Sequence, residues 1–316
     1  MTPATPFATP FATRSAPAPT ATPAYLRPAT VGETVGLLTR HPGAHLLAGG
    51  SDLMNELRLG LLPPATVIDT ADLPELHVLS ADGDIVLGAG ITMRHLLTAF
   101  PPADGRLRAL RQAADLLGGR QIQAVATLGG NICHASPAAE TAPPLLVHDT
   151  LARIAGPHGE RTIPVADLWT APRRTSLTSG EILLDLRIPA ACATRPSAYR
   201  RIELRRSVDI AVVSAAAALE THDGTIHAAR LALGAAGPVP FRVPEAERLL
   251  TGVELTLDAD GAPTGPLATA LAQAAQACTA AARPISDVRS GAEYRRQMTA
   301  VVARRALEAA ARKVSP

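Results

Sequence analysis

Only three cysteines occur in the 316 residues, at Cys133, Cys192 and Cys278. They are odd in number, far apart and without a Cys-x-x-Cys pair. That excludes a disulfide framework and gives no support to a zinc or iron–sulfur site. Three reduced thiols fit a cytoplasmic protein. Aromatic residues are also scarce, at 3% with Trp169 the sole tryptophan, so no stacking surface for single-stranded nucleic acid is expected. The net charge of +2 comes without a basic block, and neither nucleic acid nor a membrane surface is an expected partner. No apolar run reaches the roughly 18 residues that a membrane span requires. A secretory signal is not expected either, because prolines interrupt every candidate for its apolar core of about 7–15 residues.

Threonine, alanine and proline are plentiful where they cannot build a core. Residues 1–23, MTPATPFATPFATRSAPAPTATP, read as a disordered tail. The remainder is ordinary globular sequence, 47% hydrophobic and 18% charged overall, and the length predicts about two domains.

From Ala24 the order of signals is that of a small βαβ-like unit. Tyr25 and Leu26 read as a strand, and Thr30 with Glu33 as a capping box for a helix burying Val35, Leu37 and Leu38. A strand over His45–Ala48, a Gly49-Gly50 loop, a short helix over Asp52–Arg58 and a strand at Val67–Asp69 follow. After Leu73, Asp82-Gly83 between apolar runs predicts a hairpin. Thr92 predicts a helix cap, and Leu107–Leu117 an amphipathic helix. Strands are expected over Ala152–Ile163 with a turn at Gly156–Gly159, then over Val165–Trp169 and Leu183–Ile188. From Ala190 an α+β pattern takes over, with three strands, a His222-Asp223-Gly224 turn, and helices over Leu267–Ala282 and Ala292–Lys313.

Two stretches share one device: LLAGGSDL (Leu46–Leu53) and TLGGNICHASPAAETAPPLL (Thr127–Leu146) each place Gly-Gly between an apolar and a small polar residue. A single pair reads as a tight turn. Two pairs point to a group that both loops approach with their amides, as consecutive N–H groups approach a phosphate. Neither stretch has the Lys of a P-loop. GAGITM, Gly88–Met93, lacks the third glycine of a dinucleotide fingerprint. Ser51 lacks the nucleophile elbow of a hydrolase. His134 and Glu140 lie in the second stretch, and a lone His beside a Cys is too few ligands for a metal. RRIELRRS, Arg200–Ser207, reads as a solvated strand face or, in a larger assembly, a surface for phosphate or a partner's carboxylates.

With GEILLDLRIP and DVRSGAEYRRQM (Asp287–Met298), these stretches resemble, in order and spacing, the flavin-binding medium subunit of molybdenum hydroxylases. That group includes xanthine dehydrogenase, aldehyde oxidase and aerobic carbon monoxide dehydrogenase, and the resemblance spans roughly Ala24–Lys313. It implies a vanillyl-alcohol-oxidase-type (PCMH-like) FAD-binding domain over 24–189, in two α/β subdomains of about 24–75 and 76–189. A C-terminal α+β domain of antiparallel sheet and helices would cover 190–316. FAD would be cradled at its pyrophosphate by Leu46, Leu47, Ala48, Gly49, Gly50, Ser51, Asp52 and Leu53, with Thr127, Gly129, Gly130 and Asn131 on the other side. Glu140 stands where relatives place an Asp near the ribityl–phosphate region, and Leu183 and Arg200 match positions near the flavin. Leu117 replaces an aromatic ring, so no stacking is expected there.

The resemblance also implies partners: a large molybdopterin-binding subunit, and a small subunit whose 2Fe–2S clusters deliver electrons to this FAD for NAD+, a quinone or O2. The expected assembly is a dimer of heterotrimers. An extra cluster, carried by some relatives in a cysteine-rich insertion, is excluded by the cysteine count. The rival reading is an autonomous FAD-dependent oxidase of the same fold, for which the C-terminal region is small. A scaffold that has lost FAD is disfavoured by the intact glycine pairs.

Overall fold

The computed structural model describes residues 24–205 and 208–314. The Thr/Ala/Pro-rich stretch and the end of RRIELRRS lie outside them. The chain opens with β1 (Tyr25–Leu26), α1 (Val31–Arg40), β2 (His45–Leu47), α2 (Leu53–Arg58) and β3 (Val67–Asp69). These strands form a parallel sheet in the order β1-β3-β2. The entry to α1 follows from two residues. Thr30 accepts from the Glu33 amide at 3.1 Å, while Glu33 accepts from the Ala29 amide at 2.7 Å, so the exposed donors of the first turn are satisfied.

Next come β4 (Leu79–Ser80), β5 (Ile85–Gly88), α3 (Met93–Ala99), α4 (Arg108–Leu116), α5 (Arg120–Val125), α6 (Leu128–Cys133) and α7 (Ala142–Val147). They are followed by β6 (Leu151–Gly156), β7 (Gly159–Pro164), β8 (Trp169–Ala171), β9 (Arg174–Thr175) and β10 (Ile182–Ile188). Five of the strands make an antiparallel sheet, β4-β5-β10-β6-β7. The β4–β5 hairpin turns at Gly83, whose φ of +82° suits glycine. Val165–Leu168 is a 3-10 turn, not the expected strand; Pro164 ends β7 and the chain rejoins a strand only at Trp169. The amides of Gly88 and Gly90 in GAGITM bond the Val78 and Leu76 carbonyls at 2.8 and 2.7 Å, so this segment is a packed corner.

The last part holds α8 (Ala190–Ala193), β11 (Ser197–Ile202), β12 (Val213–His222), β13 (Thr225–Gly234), β14 (Phe241–Arg242), α9 (Pro244–Leu250), α10 (Gly265–Ala281) and α11 (Ala292–Ala311). Its antiparallel sheet runs β11-β12-β13-β14, and Asp223 and Gly224 turn β12 into β13 with φ of +47° and +72°. Both faces of this sheet are covered, which is why β12 is a nearly unbroken apolar run. Tyr199, Ala216, Ala218 and Ala232 join the core of the preceding region. Ala198, Ala215, Ala217 and Leu231 pack with residues of α9, α10 and α11.

Candidate functional site

The loop after β2 is built to leave amides free. Leu47 closes the strand by accepting from the Thr70 amide at 2.8 Å, and Gly50 then takes a φ of +68°. Among the described residues, the four successive amides of Gly49, Gly50, Ser51 and Asp52 have no acceptor. Asn55 Nδ2 donates to the Ser51 carbonyl at 2.8 Å and steadies the loop from α2. Four open N–H groups in a row, one residue being left-handed, make an anion-binding concavity.

The second glycine pair is a different device. Thr127 caps α6, accepting from the Gly130 amide at 3.1 Å. The Gly129 amide bonds the Ala89 carbonyl at 2.8 Å and the Asn131 amide the Thr127 carbonyl at 3.0 Å. This stretch therefore opens a helix whose first amides are taken, which corrects the expectation that both glycine loops offer free amides. Its glycines serve close packing: a Cβ at Gly129 would lie 2.6 Å from Ala89 Cβ. Gly49 has a packing role too, since a Cβ there would lie 1.8 Å from the Val125 carbonyl oxygen, at the end of α5. The Gly49 backbone is thereby packed against the residues that lead into the second glycine motif.

Between them lies a cleft of about 1200 Å³, above the roughly 300–1,000 Å³ of a drug-sized ligand's pocket and roomy enough for a dinucleotide. Leu46, Ala48, Gly49, Gly50, Ser51, Asp52 and Leu53 line it, as do Leu117, Thr127, Gly129, Gly130, Asn131, Glu140 and Leu183. Leu47 and Arg200 do not. Leu47 belongs to the strand beneath the loop, and Arg200 points away because neighbouring residues of a strand alternate between faces. Arg201 is the residue that turns inward. Its side chain, 3% exposed, donates to Glu140 at 3.0 Å and also pairs with Glu203. Burial pushes the Glu140 carboxyl up to about 7, against the pull of Arg201.

Several wall residues carried no motif signal. Glu56 on α2 is 3.0 Å from His134 Nε2 and 2.5 Å from Arg173, which stands in the β8–β9 turn with a φ of +60°. Burial pushes Glu56 up, yet the bonds from His134 and Arg173 outweigh it and hold the carboxyl below its ordinary value. Glu181 is held down to about 2 by Arg161, with burial opposing and the Thr178 amide assisting. Their spacing in sequence, 56 with 134 and 173, hides these contacts. The DVRSGAEYRR stretch contributes Asp287, Arg289 and Arg295 to the wall. Asp287 accepts from the amides of Arg289 and Ser290 and from Arg295 Nη2 at 2.8, 3.3 and 2.6 Å. Arg295 also holds the Val212 carbonyl at 3.1 Å.

The Cys133 thiol on this wall is inert: burial pushes it up to about 12, far from the thiolate needed for attack. Among the described residues no group of three or more His, Cys, Asp and Glu is placed to hold a metal.

Residues 18–191 match the family described as the FAD binding domain in molybdopterin dehydrogenase, and residues 197–310 the CO dehydrogenase flavoprotein C-terminal domain. The chain belongs to the FAD-binding family of molybdopterin dehydrogenases. This flavoprotein is 34% identical over 236 residues to the putative xanthine dehydrogenase FAD-binding subunit of Escherichia coli, covering 74% of the chain and 80% of that protein. It is 29% identical to the carbon monoxide dehydrogenase medium chain of Hydrogenophaga pseudoflava, covering 90% and 96%. Its structure superposes on a chain of carbon monoxide dehydrogenase from that organism with a TM-score of 0.83 at 30% identity, covering 92% and 97%. For quinoline 2-oxidoreductase from Pseudomonas putida the TM-score is 0.81 at 25% identity, covering 93% and 98%. FAD is the cofactor of this flavoprotein family, and the chain is an oxidoreductase component. The residues fit the group: four open amides suit an anion, and the cleft has the volume for a dinucleotide.

Proposed function

We propose that the chain is the electron-transfer subunit of a molybdenum hydroxylase complex. Electrons would arrive from the 2Fe–2S clusters of a small partner subunit and leave to NAD+, a quinone or O2, while a large molybdopterin-binding subunit hydroxylates the substrate. We place the assembly in the cytoplasm as a dimer of three-chain units, and read the FAD-binding region as PCMH-like. Bound FAD supplies the redox chemistry. The chain's own residues bind, orient and shield it: the amides of Gly49–Asp52 take the pyrophosphate, Asn131 on α6 faces it from the other wall, and Leu117 and Leu183 give apolar contact. The Glu140–Arg201 pair closes the cleft against the C-terminal region.

The observation that carries this reading is the run of four open amides, among the described residues, at the edge of a cleft of dinucleotide size. Such a loop suits the pyrophosphate of a dinucleotide cofactor. The test is anaerobic mixing of a substrate oxidised by the assembled complex with the FAD-loaded chain alone and with the complex, following the visible flavin band. Bleaching is expected only in the complex. Rapid bleaching of the chain alone would instead establish the autonomous oxidase.

A further inference from the structure

The start of α7 carries a threonine whose usual work is missing. Thr141 stands at the N-cap of α7, where a threonine oxygen ordinarily accepts from the amide of the second or third helical residue. Those residues are Pro143 and Pro144, which have no N–H, and the Thr141 side chain makes no cap bond. Thr141 is nonetheless fully buried, at 0% exposure. Its hydroxyl reaches back to the second glycine motif and donates to Asn131 Oδ1 at 2.6 Å.

This contact fixes which end of the Asn131 amide meets the cleft. An asparagine side chain has an acceptor oxygen and a donor nitrogen, and its hydrogen-bond partners decide which way each faces. Among the described residues the Thr141 hydroxyl has no other acceptor, so its single proton goes to Asn131 Oδ1, or a buried donor is left unpaired. Asn131 Nδ2 is then turned away from Thr141, and among the described residues it has no acceptor. Asn131 is half-buried and lines the cleft. Its main chain is held as well, the Asn131 amide bonding the Thr127 carbonyl at 3.0 Å. A side-chain nitrogen with N–H bonds to give, on a fixed backbone and with its own oxygen engaged, is a preorganised partner for an anion.

We propose that Thr141 is a positioning residue for the cofactor, holding the Asn131 amide with Nδ2 toward the pyrophosphate of FAD. The inference rests on the reading that Asn131 faces the pyrophosphate, and it adds the residue that orients it. Thr141 does not itself line the cleft and acts only through Asn131. Without its hydroxyl the amide is free to turn and set its oxygen, an acceptor, against the phosphate oxygens.

The test is the FAD affinity of the full chain, followed by flavin fluorescence, in a double-mutant cycle of Thr141→Val and Asn131→Ala. Each single variant is expected to weaken binding about tenfold, the loss of one oriented hydrogen bond. Thr141→Val should add nothing once Asn131 is replaced. Thr141→Ser keeps the hydroxyl and should bind within about twofold of the parent. Asn131→Asp should bind FAD more weakly than Asn131→Ala at neutral pH, because its second oxygen sets a negative charge against the phosphates. Equal weakening by Thr141→Val with and without Asn131 overturns the proposal, as does failure of Thr141→Ser to bind better than Thr141→Val. Loss of affinity in Asn131→Ala with parent-like affinity in Thr141→Val overturns the positioning role alone. Parent-like affinity in Asn131→Ala or Asn131→Asp overturns the pyrophosphate reading of this wall, and the proposal with it. Melting of the flavin-free variants checks that each is folded, and Thr141→Ala, run through the same cycle, replaces Thr141→Val if that variant is not.

Discussion

At the scale of residues, glycine and glutamate carry the account in ways their letters conceal. Gly49 and Gly50 are adjacent and do different work. Gly50 needs its left-handed φ of +68°, so Gly50→Ala should cost about 1–2 kcal/mol and reduce flavin content while leaving the chain folded. Gly49 is fixed by the carbonyl 1.8 Å from where its Cβ would lie. Gly49→Ala forces the first loop away from α5, an overpacking cost of about 1–3 kcal/mol or more, so thermal stability should fall together with flavin binding. The melting temperature of the flavin-free variants distinguishes the two cases. Glu140 adds a pH dependence. Its folded-state value, raised by burial to about 7 from 4.5, means that the folded chain holds a proton that the unfolded chain has lost. Stability of the flavin-free chain should therefore fall as pH rises between those values. Glu140→Gln should flatten that decline, as melting curves across the window would show.

Elements show which features were legible from sequence and which were not. The Thr30 cap, the Asp82-Gly83 and Asp223-Gly224 turns, and the two C-terminal helices were readable because each depends on residues three or four apart at most. The open amides of the loop within Leu46–Leu53 were readable for the same reason. The second glycine pair was misread because Gly-Gly mimics a turn, whereas the cap of Thr127 and the bond from Gly129 to Ala89, distant in sequence, make it a helix start. Arg200 and Arg201 differ by one position, and a one-residue offset in a strand exchanges the two faces; only the register of β11 against β12 decides which one meets Glu140. The cap itself can be tested. Thr127→Ala removes the acceptor for the Gly130 amide and should cost about 0.5–2 kcal/mol, and flavin affinity should drop because α6 carries Asn131. Denaturant midpoints with and without FAD would separate the two effects.

Across the whole molecule, the flavin-binding part and the C-terminal part are joined by charge as well as by apolar packing. Asp149, just after α7, accepts from Arg195 at 2.7 Å, Arg230 at 3.2 Å and Arg242 at 3.1 Å. Burial pushes this half-buried carboxyl up, but the arginines outweigh it and hold it below its ordinary 3.8. Its stabilising effect is thus complete above that value and is lost as pH falls below it. Asp149→Asn should lower stability at neutral pH by about 1–3 kcal/mol, less than for a fully buried group because solvent screens part of the effect. Equal stability of variant and parent from neutral to acid pH would show the cluster to be idle.

The central claim is that this cleft holds one FAD by its pyrophosphate without a covalent bond. Its most direct measurement is the flavin content of the purified, FAD-reconstituted chain after acid precipitation. One FAD per chain released into the supernatant, identified chromatographically, is the predicted result. A pellet that keeps the flavin, a preference for FMN, or a chain that takes up no flavin would contradict it.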